Sequence, residues 1–184
     1  MPNRSEDVNA IVISASTTAA IAGAANPVPF IGDGLILVTA WVAMLGTLAA
    51  HHDIDFEGKS FRILAFQIFK SIIAYAAGTL SFIYLLKFTG GGTIIAAILN
   101  ATLNFGFTMV VGYMYSDAWE RNEEPTKEEV LEALKNVVHT AKDGFSKRRR
   151  KEMIQTYQTK KEKGASHSEA IIDVIKDFFE GFFD

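Results

Sequence analysis

Uncharged runs and charged runs alternate along this chain, and their periods predict its elements. From Val8 to His52 the only Asp, Glu, Lys or Arg is Asp33. Asn26-Pro27-Val28-Pro29 interrupts that run. Each proline lacks an N–H, fixes φ and pushes its predecessor toward extended backbone, so no helix continues through both. The pattern predicts a helix over 10–24, a turn, and a second helix over 34–50 that Asp33 caps. The product is an apolar helical hairpin with Asn26, Pro27, Pro29 and Asp33 at its tip.

A second hairpin follows the polar connector His51–Lys59. Its first helix is predicted over 60–88, with Arg62, Gln67 and Lys70 early and no charge from Ser71 to Leu86. That gradient suits a helix entering an apolar medium at an angle, its long cationic stems reaching back to water. Gly90-Gly91-Gly92 ends it, and an uncharged helix runs over 93–116. At roughly 36 Å this last helix is the best spanning candidate, whereas each arm of the first hairpin is roughly 25 Å, short against a hydrocarbon core of about 30 Å.

Two stripes stand out within these helices. Ala10, Ser14, Thr18 and Ala22 recur every four residues and predict a smooth face for close helix approach. Asn100, Asn104 and Thr108 form a polar seam that either hydrogen-bonds across helices or lines a pore. Three neutral groups are few for a conduit, so packing is the stronger reading. Tyr113, Tyr115 and Trp119 precede Glu120 like an interfacial aromatic belt.

Beyond Trp119 the material changes. Residues 1–119 hold 5 Lys and Arg with 7 Asp and Glu, and residues 120–184 hold 13 and 14. Thr126 with Glu129 makes a capping box, and Val130, Leu131, Leu134, Val137 and Val138 give an apolar stripe of helical period. Lys147, Arg148, Arg149, Arg150 and Lys151 form a basic run that suits anionic lipid or solvent. Nucleic acid is disfavoured, because acids flank the run and no aromatic platform accompanies it. Ser166 or Ser168 caps a last helix whose Ile171, Ile175, Phe178, Phe179 and Phe182 must be buried: on 130–138, on a partner or second copy, or on a membrane. The fold class expected is therefore all-α: two apolar hairpins embedded in a membrane over 1–119, then a charged amphipathic helical module over 120–184.

Candidate chemistry adds little. The net charge is −3 and there is no cysteine, which removes disulfides, thiolate metal sites and cysteine nucleophiles. His51, His52 and Asp53 sit on a connector that fixes no metal geometry, and Asp33 has no base or nucleophile beside it. The reading is no enzyme, no metal and no cofactor.

The order of small residues, Asn26-Pro27-Val28-Pro29-Phe30, Asp33, then Leu35-Ile36-Leu37-Val38 and a helix through Val42-Ala43-Met44, resembles the bacterial domain-of-unknown-function family 697. A second match lies at Lys87 to Gly112, with Gly92-Thr93-Ile94-Ile95-Ala96-Ala97-Ile98-Leu99-Asn100, then Thr108 and Gly112. The resemblance implies a helical, membrane-associated domain that works with a small Era-like GTPase. The chain holds no Gly-x-x-x-x-Gly-Lys-Ser/Thr, so a GTPase partner would act in trans.

Function is expected on that basis. A bacterial membrane-associated scaffold or adaptor comes first, bound to lipid, self-associating, and docking partners on the C-terminal module. Two hairpins leaving from one side put all heavily charged segments together, and Lys59 and Arg62 with the 147–151 run make that side cytosolic at the inner membrane. The alternatives are an oligomeric channel around the Asn100 seam and a soluble assembly with apolar helices buried between subunits.

Overall fold

The computed structural model describes residues 5–25, 34–55, 61–70, 92–145 and 147–183, and its described secondary structure is all helix. The predicted tip, with Asn26, Pro27, Pro29 and Asp33, lies outside those residues, as does the third helix beyond residue 70.

The first helix, α1, is Glu6–Ala25 and starts earlier than apolar periodicity alone predicts. Ser5 Oγ accepts the Val8 N–H at 3.2 Å, and Glu6 and Asp7 meet the positive helix end. Helix α2 is Gly34–His51, and helical residues 61–70 are the described part of α3. Helix α4, Gly92–Glu120, is followed by α5, Lys127–Gly144, α6, Lys147–Glu162, and α7, His167–Phe183. Both expected helix starts in the charged third are built. Glu129 N donates to Thr126 Oγ1 at 3.2 Å while Thr126 N donates to Glu129 Oε2 at 2.8 Å. Ser166 and Glu169 repeat the arrangement at 3.2 and 2.7 Å. These hydrogen bonds hold both carboxyls below the usual glutamate range. Asp53, Asn122 and Gly164 take positive φ just past α2, α4 and α6, where a left-handed residue lets the chain close the last helical carbonyls.

The architecture is one apolar helix wrapped by others. Every residue of α4 from Ile95 to Thr108 is buried, so no face of that stretch meets solvent. Helix α1 lies antiparallel to it: Val12 packs at Gly112, and Gly23 packs at Ala101, where an added Cβ would stand 3.1 Å from backbone atoms. Helix α2 runs parallel to α4, with Trp41 at Thr108 and Met44 at Gly112. On the other side, Val137 of α5 and Phe179 of α7 close over Gly106. Helix α6 pairs with α7 through Lys160 and Asp173, 2.7 Å apart, a contact that raises the lysine pKa.

The hydrophobic core runs without a break from Val8 to Phe179. The change near Trp119 is therefore one of composition, and packing continues across it. Among the described residues, three helices, α1, α2 and α4, are long and apolar enough to cross a membrane.

Candidate functional site

The Asn100, Asn104 and Thr108 seam faces α1 and α2 inside the bundle. Asn100 Nδ2 donates to the Gly23 carbonyl at 3.0 Å, and Asn104 Nδ2 to the Ala19 carbonyl at 3.4 Å. Trp41 Nε1 donates to Thr108 Oγ1 at 2.8 Å, and that hydroxyl donates onward to the Asn104 carbonyl at 2.8 Å. All three seam residues are buried. Small residues on α1 bring its backbone close enough for side-chain amides to reach its carbonyls, so among the described residues the seam joins α4 to α1 and α2.

The face of α1 that performs this packing is Val8, Val12, Ser16, Ala19 and Gly23. The predicted stripe points elsewhere: Ala10, Ser14 and Thr18 are exposed. The outward side of α2 is similar, with Leu35, Ile36, Thr39, Ala43, Thr47 and Ala50 exposed. Together these two helices offer a surface without a single charged side chain between Val8 and His51 among the described residues. Leu35 is 69% exposed, Ile36 48% and Ile21 42%. On α3, Ile63 and Phe66 are also exposed, between Arg62 and Lys70.

The aromatic belt is corrected. Tyr115 and Trp119 are buried, their ring centroids 5.4 Å apart, and Phe61 packs on Trp119 at 6.4 Å. Only Tyr113 is partly exposed, its hydroxyl donating to Asn9 Oδ1 at 3.1 Å. These rings lock the start of α3 to the end of α4 instead of marking an interface. His52 joins that end of the bundle with Nε2 2.8 Å from Ser116 Oγ. Partial burial, then the neighbouring His51, push its pKa down. Among the described residues no group of three metal-ligating side chains converges.

Ile171, Ile175, Phe178 and Phe179 are corrected too. They are buried within the chain, against α4, α5 and α6, so their apolar area is not offered to a partner. Phe179 meets Phe105 at 5.2 Å and Phe178 meets Phe145 at 5.7 Å. The side chain of Phe182 lies outside the described ones.

The basic run forms the first turns of α6, which spreads it around the helix. Arg148 pairs with Glu152 at 3.0 Å, Arg149 lies over the Phe178 ring at 5.7 Å, Arg150 is half-buried and Lys151 is exposed. The Lys147 side chain is not among those described. Two of these cations thus have partners inside the chain. The sequence signal that was available for a different basic site is the four-residue spacing of Arg62, Phe66 and Lys70 on α3.

Compared with protein-family models, with curated proteins and with solved structures, the chain matches none.

Proposed function

We propose that this chain is a non-enzymatic, membrane-associated scaffold or adaptor whose α1–α2 outer face lies against lipid while α5, α6 and α7 lie in water. The observation that carries the reading is the uncharged exposed surface of two adjacent helices. A helix at a water surface normally carries a polar face, and here the exposed positions between Ala10 and Ala50 hold only small residues, hydroxyls, Ile and Leu among the described residues.

Charge placement supports one orientation. Exposed Glu132 and half-buried Lys135 on α5 are 3.4 Å apart, and they lie about 8 Å and about 3 Å along the helix from Val137, which packs on Gly106 in the middle of α4. A bilayer surrounding the whole bundle would bring both to hydrocarbon depth, at roughly 2.5–3.5 kcal/mol each. The membrane therefore contacts the α1–α2 side, and the charged helices face the cytosol of a bacterial inner membrane. The bacterial setting and a small GTPase partner in trans follow the family resemblance.

A second reading uses the same face. Its small residues also suit a second copy of the chain, which would give a soluble assembly with α1 and α2 between subunits. Flotation with lysate membranes, followed by a high-pH carbonate wash, separates the two. Retention in the membrane fraction is the expected result. Release as a homogeneous, detergent-free particle would replace the membrane reading with the assembly.

A further inference from the structure

We propose that the exposed face of α3 is an anionic-lipid headgroup site, with Arg62 and Lys70 as its cations and Ile63 and Phe66 as its apolar wedge. The inference rests on the membrane reading above and names the lipid class and the residues that select it.

Residues 62, 66 and 70 fall four apart on one helical stripe, with Ile63 beside them. Ile63 is 59% exposed and Phe66 51%, large apolar side chains that water disfavours. The same helix buries Phe61, Ala65 and Ile68 on its inner side, so the outward orientation of Ile63 and Phe66 is fixed by packing. Phe69 covers Gly34, one residue from exposed Leu35, and carries the patch onto the uncharged α2 face.

Charge complementarity names the occupant. The described part of α3 has two cations and no carboxylate, and none of the ion pairs among the described residues uses Arg62 or Lys70. Long Lys and Arg stems can lie along apolar surface while their heads reach phosphate, and Ile63 with Phe66 can enter the acyl boundary between them. A neutral apolar partner would leave both cations unmatched. An acidic protein would leave the exposed Ile63 and Phe66 in contact with polar surface. An anionic bilayer matches both. The basic run on α6, by contrast, spends Arg148 on Glu152 and Arg149 on Phe178.

The test is partitioning of the full chain from solution into preformed vesicles of phosphatidylcholine alone, or of phosphatidylcholine and phosphatidylglycerol in equal parts. Tighter binding to the anionic vesicles is expected, falling as salt rises. Arg62→Gln with Lys70→Gln should weaken that binding about 30-fold, which corresponds to about 1 kcal/mol per cation. It should leave binding to neutral vesicles and the helical melting curve unchanged. Arg148→Gln with Lys151→Gln should weaken anionic binding by less. Ile63→Ser with Phe66→Ser should weaken binding to both vesicle types. Indifference of the parent to phosphatidylglycerol, an unchanged Arg62/Lys70 variant, or an equal loss from the α6 variant would each overturn the headgroup site while the membrane reading stands. Failure of the parent to bind either vesicle would overturn the membrane reading itself.

Discussion

Trp41→Ala is expected to destabilise the chain by about 3–5 kcal/mol, a large part of the 5–15 kcal/mol that typically holds a domain together. Trp41 is fully buried and is the largest side chain where α2 meets α4. It also begins a relay across three helices. Its indole N–H donates to Thr108, whose hydroxyl donates to the Asn104 carbonyl, and the Asn104 side chain reaches the Ala19 carbonyl of α1. Alanine leaves a void and removes the donor to a buried hydroxyl. Trp41→Phe keeps most of the ring volume, and the lost hydrogen bond alone should cost about 0.5–1.5 kcal/mol. Denaturation followed by helical circular dichroism measures both. A cost below about 1 kcal/mol for Trp41→Ala would mean that the indole does not fill a close-packed core.

Phe178→Ala should cost a similar 3–5 kcal/mol, and where the loss appears matters more than its size. Phe178 is 4% exposed, stacks near Phe145 and Phe179, and sits so close to Gly144 that any added Cβ would overlap its ring. The two tryptophans are Trp41 and Trp119, both on helices before the charged third. A continuous core predicts that truncating a side chain on α7 lowers the melting transition reported by those distant indoles. Two separate units would leave the tryptophan transition unmoved while helix content dropped earlier. That second pattern would contradict the single core.

The legible parts of the fold were those where polar residues define a side. Thr126 with Glu129 announces a helix start through local chemistry and is built as read, and of the two serines that could cap the last helix Ser166 does so, with Glu169 completing the box. The long uncharged run after Gly92 announces α4 by length. The face of α1 that meets α4 was not legible, because a helix that is apolar or small all round carries no polar side to mark the other as inner. Ala10, Ser14 and Thr18 have regular spacing yet point outward, while Gly23 and Ala19 matter because their carbonyls lie under Asn100 and Asn104. The wide apolar face of α7 was visible from its phenylalanines. Its landing place at Phe105 and Gly106, more than seventy residues away, depends on long-range packing that no local pattern encodes. That the basic run must spread around a helix follows from its five consecutive positions; that Arg149 is turned onto Phe178 does not, because Phe178 comes from another helix.

The chain has no cysteine, so a single introduced thiol reports which side of the bundle meets lipid. Thr47→Cys places one thiol on the outer face of α2, and Glu132→Cys places one on the outer face of α5; both positions are exposed in the bundle. With the chain bound to membranes, a water-soluble, membrane-impermeant maleimide is applied to each. Rapid labelling at 132 and protection at 47 are expected, with protection lost when detergent dissolves the membrane. Rapid labelling at 47 before detergent, or protection at 132, would contradict the placement of lipid on the α1–α2 side and water on the side of the charged helices.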